Sequence, residues 1–113
     1  MHMILEIYRG KIFHPALRRQ EVFFDLHYNS LIDLHSYGHD IESSWLIDWG
    51  CGLLGSPALS AKIGAINQSL AHHILERAYQ KHSILNECEN GVDDPTRVWW
   101  VQAEAVLGFL NAW

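Results

Sequence analysis

Residues 98–113, VWWVQAEAVLGFLNAW, are apolar on nearly every side of the helix they must form. A helix without a polar face is stable only when other elements bury it all round. At 113 residues the chain has room for one small domain with one core. The rest of the sequence reads as two further helices and a short β-hairpin, too little to cover both sides of such an element. The chain also stops at Trp113 inside this helix, with neither a C-cap nor a polar tail, and starts near the end of an earlier one. The expectation is mainly α: a single partial domain, 1–113, from the middle of a larger helical assembly. Gln102, Glu104 and Asn111 interrupt the apolar run, which is too short to span a bilayer. Trp100 and Glu104 stand four apart and share a face. A carboxylate in such surroundings requires a partner or a task; an ion pair with Arg97 is the structural alternative.

Taken in order, 1–8 reads as the end of a helix halted by Gly10, and Pro15 breaks the chain before a solvated bend at Arg18 and Arg19. EVFFDLHY (21–28) and SLIDLH (30–35), rich in β-formers and separated by Asn29, read as the hairpin. Ser56 and Pro57 are an N-cap and a first helical residue. Leu59, Ile63, Ile66, Leu70 and Ile74 follow as one stripe. His72 and His73 fall off that stripe and are expected on the surface. The segment 82–91 reads as a polar connection with a short strand over 83–86. Glu87, Glu89, Asp93 and Asp94 lack the pattern of a calcium loop and read as a solvated loop. The last helix is expected to open after Pro95, with Thr96 as its N-cap.

The chemistry concentrates in 35–49, HSYGHDIESSWLIDW. Gly38 is read as a tight turn, and 39–46 can stay helical. At about 100° per residue, His39, Glu42 and Trp45 drift across one side of that helix. An imidazole that titrates near neutrality, with a carboxylate in reach and an apolar plate, is equipment for moving protons on a polar ligand. Capping and a solvated carboxylate are the structural alternatives. A metal site from His35 and His39 lacks a third ligand. Cys51 and Cys88 are far apart with no CxxC pair, so neither zinc nor a disulfide framework is indicated. The net charge of −5 and the absence of a block among the eight Lys and Arg argue against nucleic acid. No signal peptide is visible at the start, and a cytoplasmic protein is the default.

HSYGHDIESSWL, followed some fifty residues later by TRVWWVQAEAVLGFLNA, resembles the cellobiose 2-epimerases and, more broadly, the N-acylglucosamine 2-epimerase superfamily. The resemblance extends over most of the chain, including the FFD at 23–25. It covers the middle quarter to third of a family member. It implies part of an (α/α)6 barrel, in which inner helices line a pocket and outer ones wrap them. The implied activity is epimerisation at C2 of the reducing-end sugar in β-1,4-disaccharides such as cellobiose and lactose, through ring opening, an enediolate and two opposed acid–base groups, without metal or nucleotide. By the same resemblance, His39 is one acid–base group and Glu42 positions it and the substrate hydroxyls. Trp45 and Trp100 are flat walls for sugar rings, and Glu104 accepts a hydrogen bond. Trp99 and Trp49 are expected in the core, and His35 near the site but behind it.

The family's opposite histidine lies in its C-terminal part, and an arginine of the pocket in its N-terminal part. Neither has a counterpart here, and His2, His14 and His27 do not sit in matching motifs. The chain alone is therefore expected to be inactive. Competing readings are a glycoside hydrolase using Glu42 and Glu104, the N-acylglucosamine branch of the superfamily, and a non-catalytic piece that binds sugar weakly or self-associates through uncovered apolar faces.

Overall fold

The computed structural model describes residues 2–113; Met1, at the head of the first expected helix, lies outside them. Among the described residues four α-helices carry the fold. α1 (His2–Ile7) passes into one π turn over Tyr8–Ile12. Gly10 therefore sits inside a widened turn and does not halt the helix. Strands β1 (Phe13–His14) and β2 (Arg19–Gln20) close the bend that follows.

The reversal expected around Asn29 is present, but its ladder is minimal. Asp25 organises it, accepting from the backbone N–H groups of His27 and Asn29 at 2.8 and 2.9 Å. The two arms share a single bridge, Phe24 to Ser30. Strand β3 (Leu34–Ser36) finds its partner elsewhere, in β6 (Glu87–Glu89), with His35 opposite Cys88. β6 turns back on β7 (Val92–Asp94). The acidic segment thus forms the central and edge strands of a small sheet, not a solvated loop. Asp93 accepts two bonds from Arg77, both 2.8 Å, and one from the Tyr37 hydroxyl at 2.7 Å. The expected short strand over 83–86 is β5 (Ser83–Ile84), paired with β4 (Tyr79–Gln80). Gln102 is one polar break in the apolar helix. Its amide satisfies both backbone groups of Ile84, at 2.8 and 2.9 Å, and pins that hairpin down.

The three long helices are α2 (Tyr37–Leu54), α3 (Pro57–Arg77) and α4 (Trp99–Ala112). α3 begins where Ser56 and Pro57 predict, and Leu59, Ile63, Leu70 and Ile74 of its stripe are buried. α4 begins later than expected. Thr96 bonds Asp94 through both its N–H and its hydroxyl, and Val98 holds the cap position. Gly38 lies inside α2, not in a turn ahead of it. A Cβ there would collide with the Trp100 ring and fall 2.8 Å from Val101. Glycine is required because α4 passes so closely. Gly108 answers it, where a Cβ would stand 2.7 Å from the carbonyl oxygen of Ile41.

Contacts run from Gly38 to Trp100 and from Asp48 to Asn111, so α2 and α4 are parallel. α3 returns antiparallel along α2: Arg77 lies over the Tyr37 ring at 5.9 Å, and Asn67 reaches Asp48. One core fills the space among Tyr37, Ile41, Ile74, Ile84 and Val101. A second joins α1 to α3 through Leu5, Tyr8, Ile63 and Leu70, with Cys51 of α2. No described helix is long and apolar enough to cross a membrane.

Candidate functional site

Because α2 and α4 are parallel, both present their N-terminal turns at one end of the molecule. His39 is the third residue of α2 and Trp100 the second of α4. Their ring centres are 5.2 Å apart, tilted by 59°. The imidazole is exposed, while the indole is half-buried. Nδ1 of His39 lies 2.7 Å from the hydroxyl of Ser36. Nε2 has no hydrogen-bond partner among the described residues.

Farther along the same seam, the indole N–H of Trp45 donates to Glu104 at 2.8 Å. That bond crosses from α2 to α4 and gives the Glu104 carboxylate its partner. Arg97 is not that partner: its guanidinium donates to the Ser83 hydroxyl at 2.7 Å and to the carbonyl of Pro95. Glu42, between His39 and Trp45 on α2, is half-buried and enters none of the ion pairs among the described residues. An open apolar groove between the two helices is lined by Trp45, Trp49, Leu107, Leu110 and Asn111. It takes in Trp45 but neither His39 nor Trp100.

The expectation of core positions for Trp49 and Trp99 is overturned. They are 61% and 80% exposed, because the three packed helices cover only one side of α4 and of the second half of α2. His35 stands behind the site. Its Nε2 meets the wholly buried carboxylate of Asp40 at 2.8 Å, and the other oxygen of Asp40 accepts from the backbone N–H of Gln20 at 3.2 Å. Burial raises the Asp40 pKa, against the opposing pull of His35. His73 is not a free surface residue: it bonds the Arg18 carbonyl at 2.8 Å, and its ring centre lies 5.2 Å from that of His35. Burial lowers its pKa. His35 and His39 thus point to different partners. Among the described residues no group of three or more His, Cys, Asp or Glu is arranged to hold a metal.

Sequence reasoning missed Ser36 and Asp40. The signal for Ser36 was its spacing, three residues ahead of His39, the separation at which an N-cap residue and the third helical residue meet. Asp40 carried none, since a carboxylate in a first helical turn ordinarily needs no explanation beyond the helix dipole.

Two parallel helices in direct contact, with a third packed antiparallel against the first and aromatic and acidic residues meeting along their seam, form part of an (α/α)6 barrel, the architecture of the sugar epimerases. The backbone superposes on a crystal structure of a sugar epimerase from a ruminal bacterium with a TM-score of 0.96 and 40% identity, over 98% of this chain and 28% of that one. The particular proteins it matches are cellobiose 2-epimerases. The enzyme of that name from Eubacterium cellulosolvens is 47% identical over 108 residues, 96% of this chain and 27% of the relative. The structure of the Bacillus thermoamylovorans B4167 protein of the same name gives a TM-score of 0.86 at 39% identity, again over 28% of its length. The chain therefore spans little more than a quarter of the relatives it resembles. No protein-family model matches it.

Proposed function

We propose that these residues form one wall of the active site of a cellobiose 2-epimerase, within the N-acylglucosamine 2-epimerase superfamily. The observation that carries this reading is His39, exposed, tethered at Nδ1 with Nε2 unbonded, and set beside the Trp100 ring. In the open-chain form of a reducing sugar, the C–H at C2 lies next to an aldehyde. Nε2 of His39 takes that proton, the C–H electron pair becomes the C1–C2 double bond of an enediolate, and negative charge collects on the former carbonyl oxygen. Return of a proton to the opposite face inverts C2. One imidazole serves as base in one direction and acid in the other, since its ordinary pKa of about 6.5 lies near working pH. Glu42 orients the imidazole and the substrate hydroxyls, and Trp45 and Trp100 carry the sugar rings. Glu104, already accepting from an indole N–H, remains an acceptor for a sugar hydroxyl. Cellobiose and lactose are the substrates, and the cytoplasm is the location.

The second face of C2 requires another acid–base group. His35 and His73 are committed to Asp40 and to the Arg18 carbonyl, so the chain alone lacks the pair. Alone it is a non-catalytic piece that self-associates through its exposed apolar side chains. The test is to replace the matching segment of the ruminal sugar epimerase with this chain and assay cellobiose for glucosyl-mannose. Turnover by the chimera, reduced at least about a hundredfold by His39→Gln, is expected. A folded His39→Gln chimera with undiminished turnover would sink the reading. Turnover by the 113-residue chain itself that His39→Gln removes would instead overturn the inactivity of the chain alone and leave the role of His39 standing.

A further inference from the structure

We propose that Ser36 is the positioning residue of this site: its hydroxyl holds Nδ1 of His39 and so turns Nε2 toward the substrate. The inference rests on the epimerase reading above. Ser36 occupies the N-cap of α2, yet its side chain makes no cap bond. A serine there ordinarily accepts from a backbone N–H of the second or third helical residue. Here the third helical residue is His39, and the hydroxyl engages its ring in place of its backbone, at 2.7 Å. Giving up a cap bond forfeits helix stability, and such local departures from rule concentrate at functional sites.

The serine is itself held firmly. It is buried, lies opposite Glu87 in the β3–β6 ladder, and follows His35, whose ring is clamped on Asp40. On its other side the imidazole meets Trp100. Ring rotation is thus restrained at Nδ1 and against an aromatic face.

The proton inventory fits the role. As a base, His39 must present a lone pair at Nε2, which puts its one ring proton on Nδ1, donated to the Ser36 oxygen. After abstraction both nitrogens carry protons, and Nδ1–H donates to the same oxygen. The bond therefore survives proton transfer, and the ring need not reorient between the two halves of the reaction. A neutral hydroxyl also holds the ring without the strong preference for imidazolium that a carboxylate imposes. A histidine that works as base and acid by turns requires that balance.

Two measurements test this. In the 113-residue chain, two-bond 15N–1H spectra of neutral His39 should show the Nδ1–H tautomer, and Ser36→Ala should bring in the Nε2–H form. A dominant Nε2–H tautomer in the unsubstituted chain overturns the proposal. In the chimera, Ser36→Ala should lower kcat by about ten- to a hundredfold, the order expected for a slightly misdirected catalytic group, with KM nearly unchanged. Ser36→Thr, which keeps the hydroxyl, should recover most of the loss. If Ser36→Ala also lowers the thermal midpoint, the threonine variant decides: equal loss in both variants shows that the hydroxyl is not the agent. Normal kcat in Ser36→Ala beside an inactive His39→Gln overturns the positioning role and leaves the epimerase reading standing. Activity in His39→Gln removes the reading itself.

Discussion

Asp40 has no exposed surface and two hydrogen bonds, from His35 and from the Gln20 backbone. Removing one partner of a buried, bonded pair leaves the other desolvated and unpaired, which is worse than never having buried either. Asp40→Ala should accordingly destabilise the chain by about 3 kcal/mol in urea unfolding. Asp40→Asn, which can still accept from Gln20, should lose less. A change below about 0.5 kcal/mol in the alanine variant, the ordinary scatter of surface substitutions, would show that the pair is not structural. His73 offers a test of sign. Its folded pKa lies below the ordinary 6.5 because burial disfavours the imidazolium. Its contribution to stability is therefore present above that pH and is lost as pH falls through the folded value. His73→Gln should flatten the decline in stability from neutrality toward pH 5. The carboxylates of Asp25, Asp93 and Asp94 are held below their usual range, so their losses come at lower pH. An unchanged decline in His73→Gln would remove His73 as the source. Of the residues that meet along the α2–α4 seam, His39, Trp100, Trp45 and Glu104 stand out in the sequence by residue type, helical spacing and the two motifs. Ser36 was not, because a serine before a helix reads as a cap until its hydroxyl is seen to point elsewhere.

α3 was readable from one residue before its start to the end of its apolar stripe. Its punctuation and its stripe are local properties, and they agree. β3 was readable only as the extended end of 30–35; its pairing was not, since its partner lies some fifty residues on and two- or three-residue strands are made by pairing, not by propensity. Gly38 shows why glycine is ambiguous: lack of a side chain serves a turn or a close approach, and only the Trp100 ring decides. The α2–α4 crossing makes opposite predictions for glycines of the same helix. Gly38→Ala should overpack against Trp100 and Val101 and lower stability by about 1–3 kcal/mol, even though alanine favours helix. Gly108→Ala, meeting backbone at Ile41, should do the same. Gly52→Ala, with nothing within 4 Å, should instead gain about 0.5–1 kcal/mol from helix propensity. Chemical denaturation of the three variants checks this. A stabilised Gly38→Ala would mean that α4 does not approach as closely as described.

At the scale of the whole molecule, the apolar helix α4 is half covered. Val101, Ala105 and Gly108 of α4 are buried, while Trp99, Val106 and Leu110 stand 80%, 67% and 68% exposed. Across the groove, Trp49 and Leu53 of α2 are exposed as well. Sequence could say that three helices would not bury the fourth segment all round, because that follows from counting faces. It could not say which side would be left open, because that depends on the parallel setting of α2 and α4. Burying a side chain of this size stabilises by about 2 kcal/mol, and a micromolar complex needs about 8 kcal/mol net of the cost of association. Five such residues from each of two copies offer about 20 kcal/mol gross, which leaves about the required net after an association cost on the order of 10 kcal/mol. The 113-residue chain is therefore expected to sediment above its 13.0 kDa monomer mass at micromolar concentration and to bind an apolar dye. Val106→Glu with Leu110→Glu should restore the monomer and reduce dye binding without changing the far-ultraviolet dichroism. A monomer that binds no dye before any substitution would mean that these side chains, open though they stand, find cover within the chain in solution.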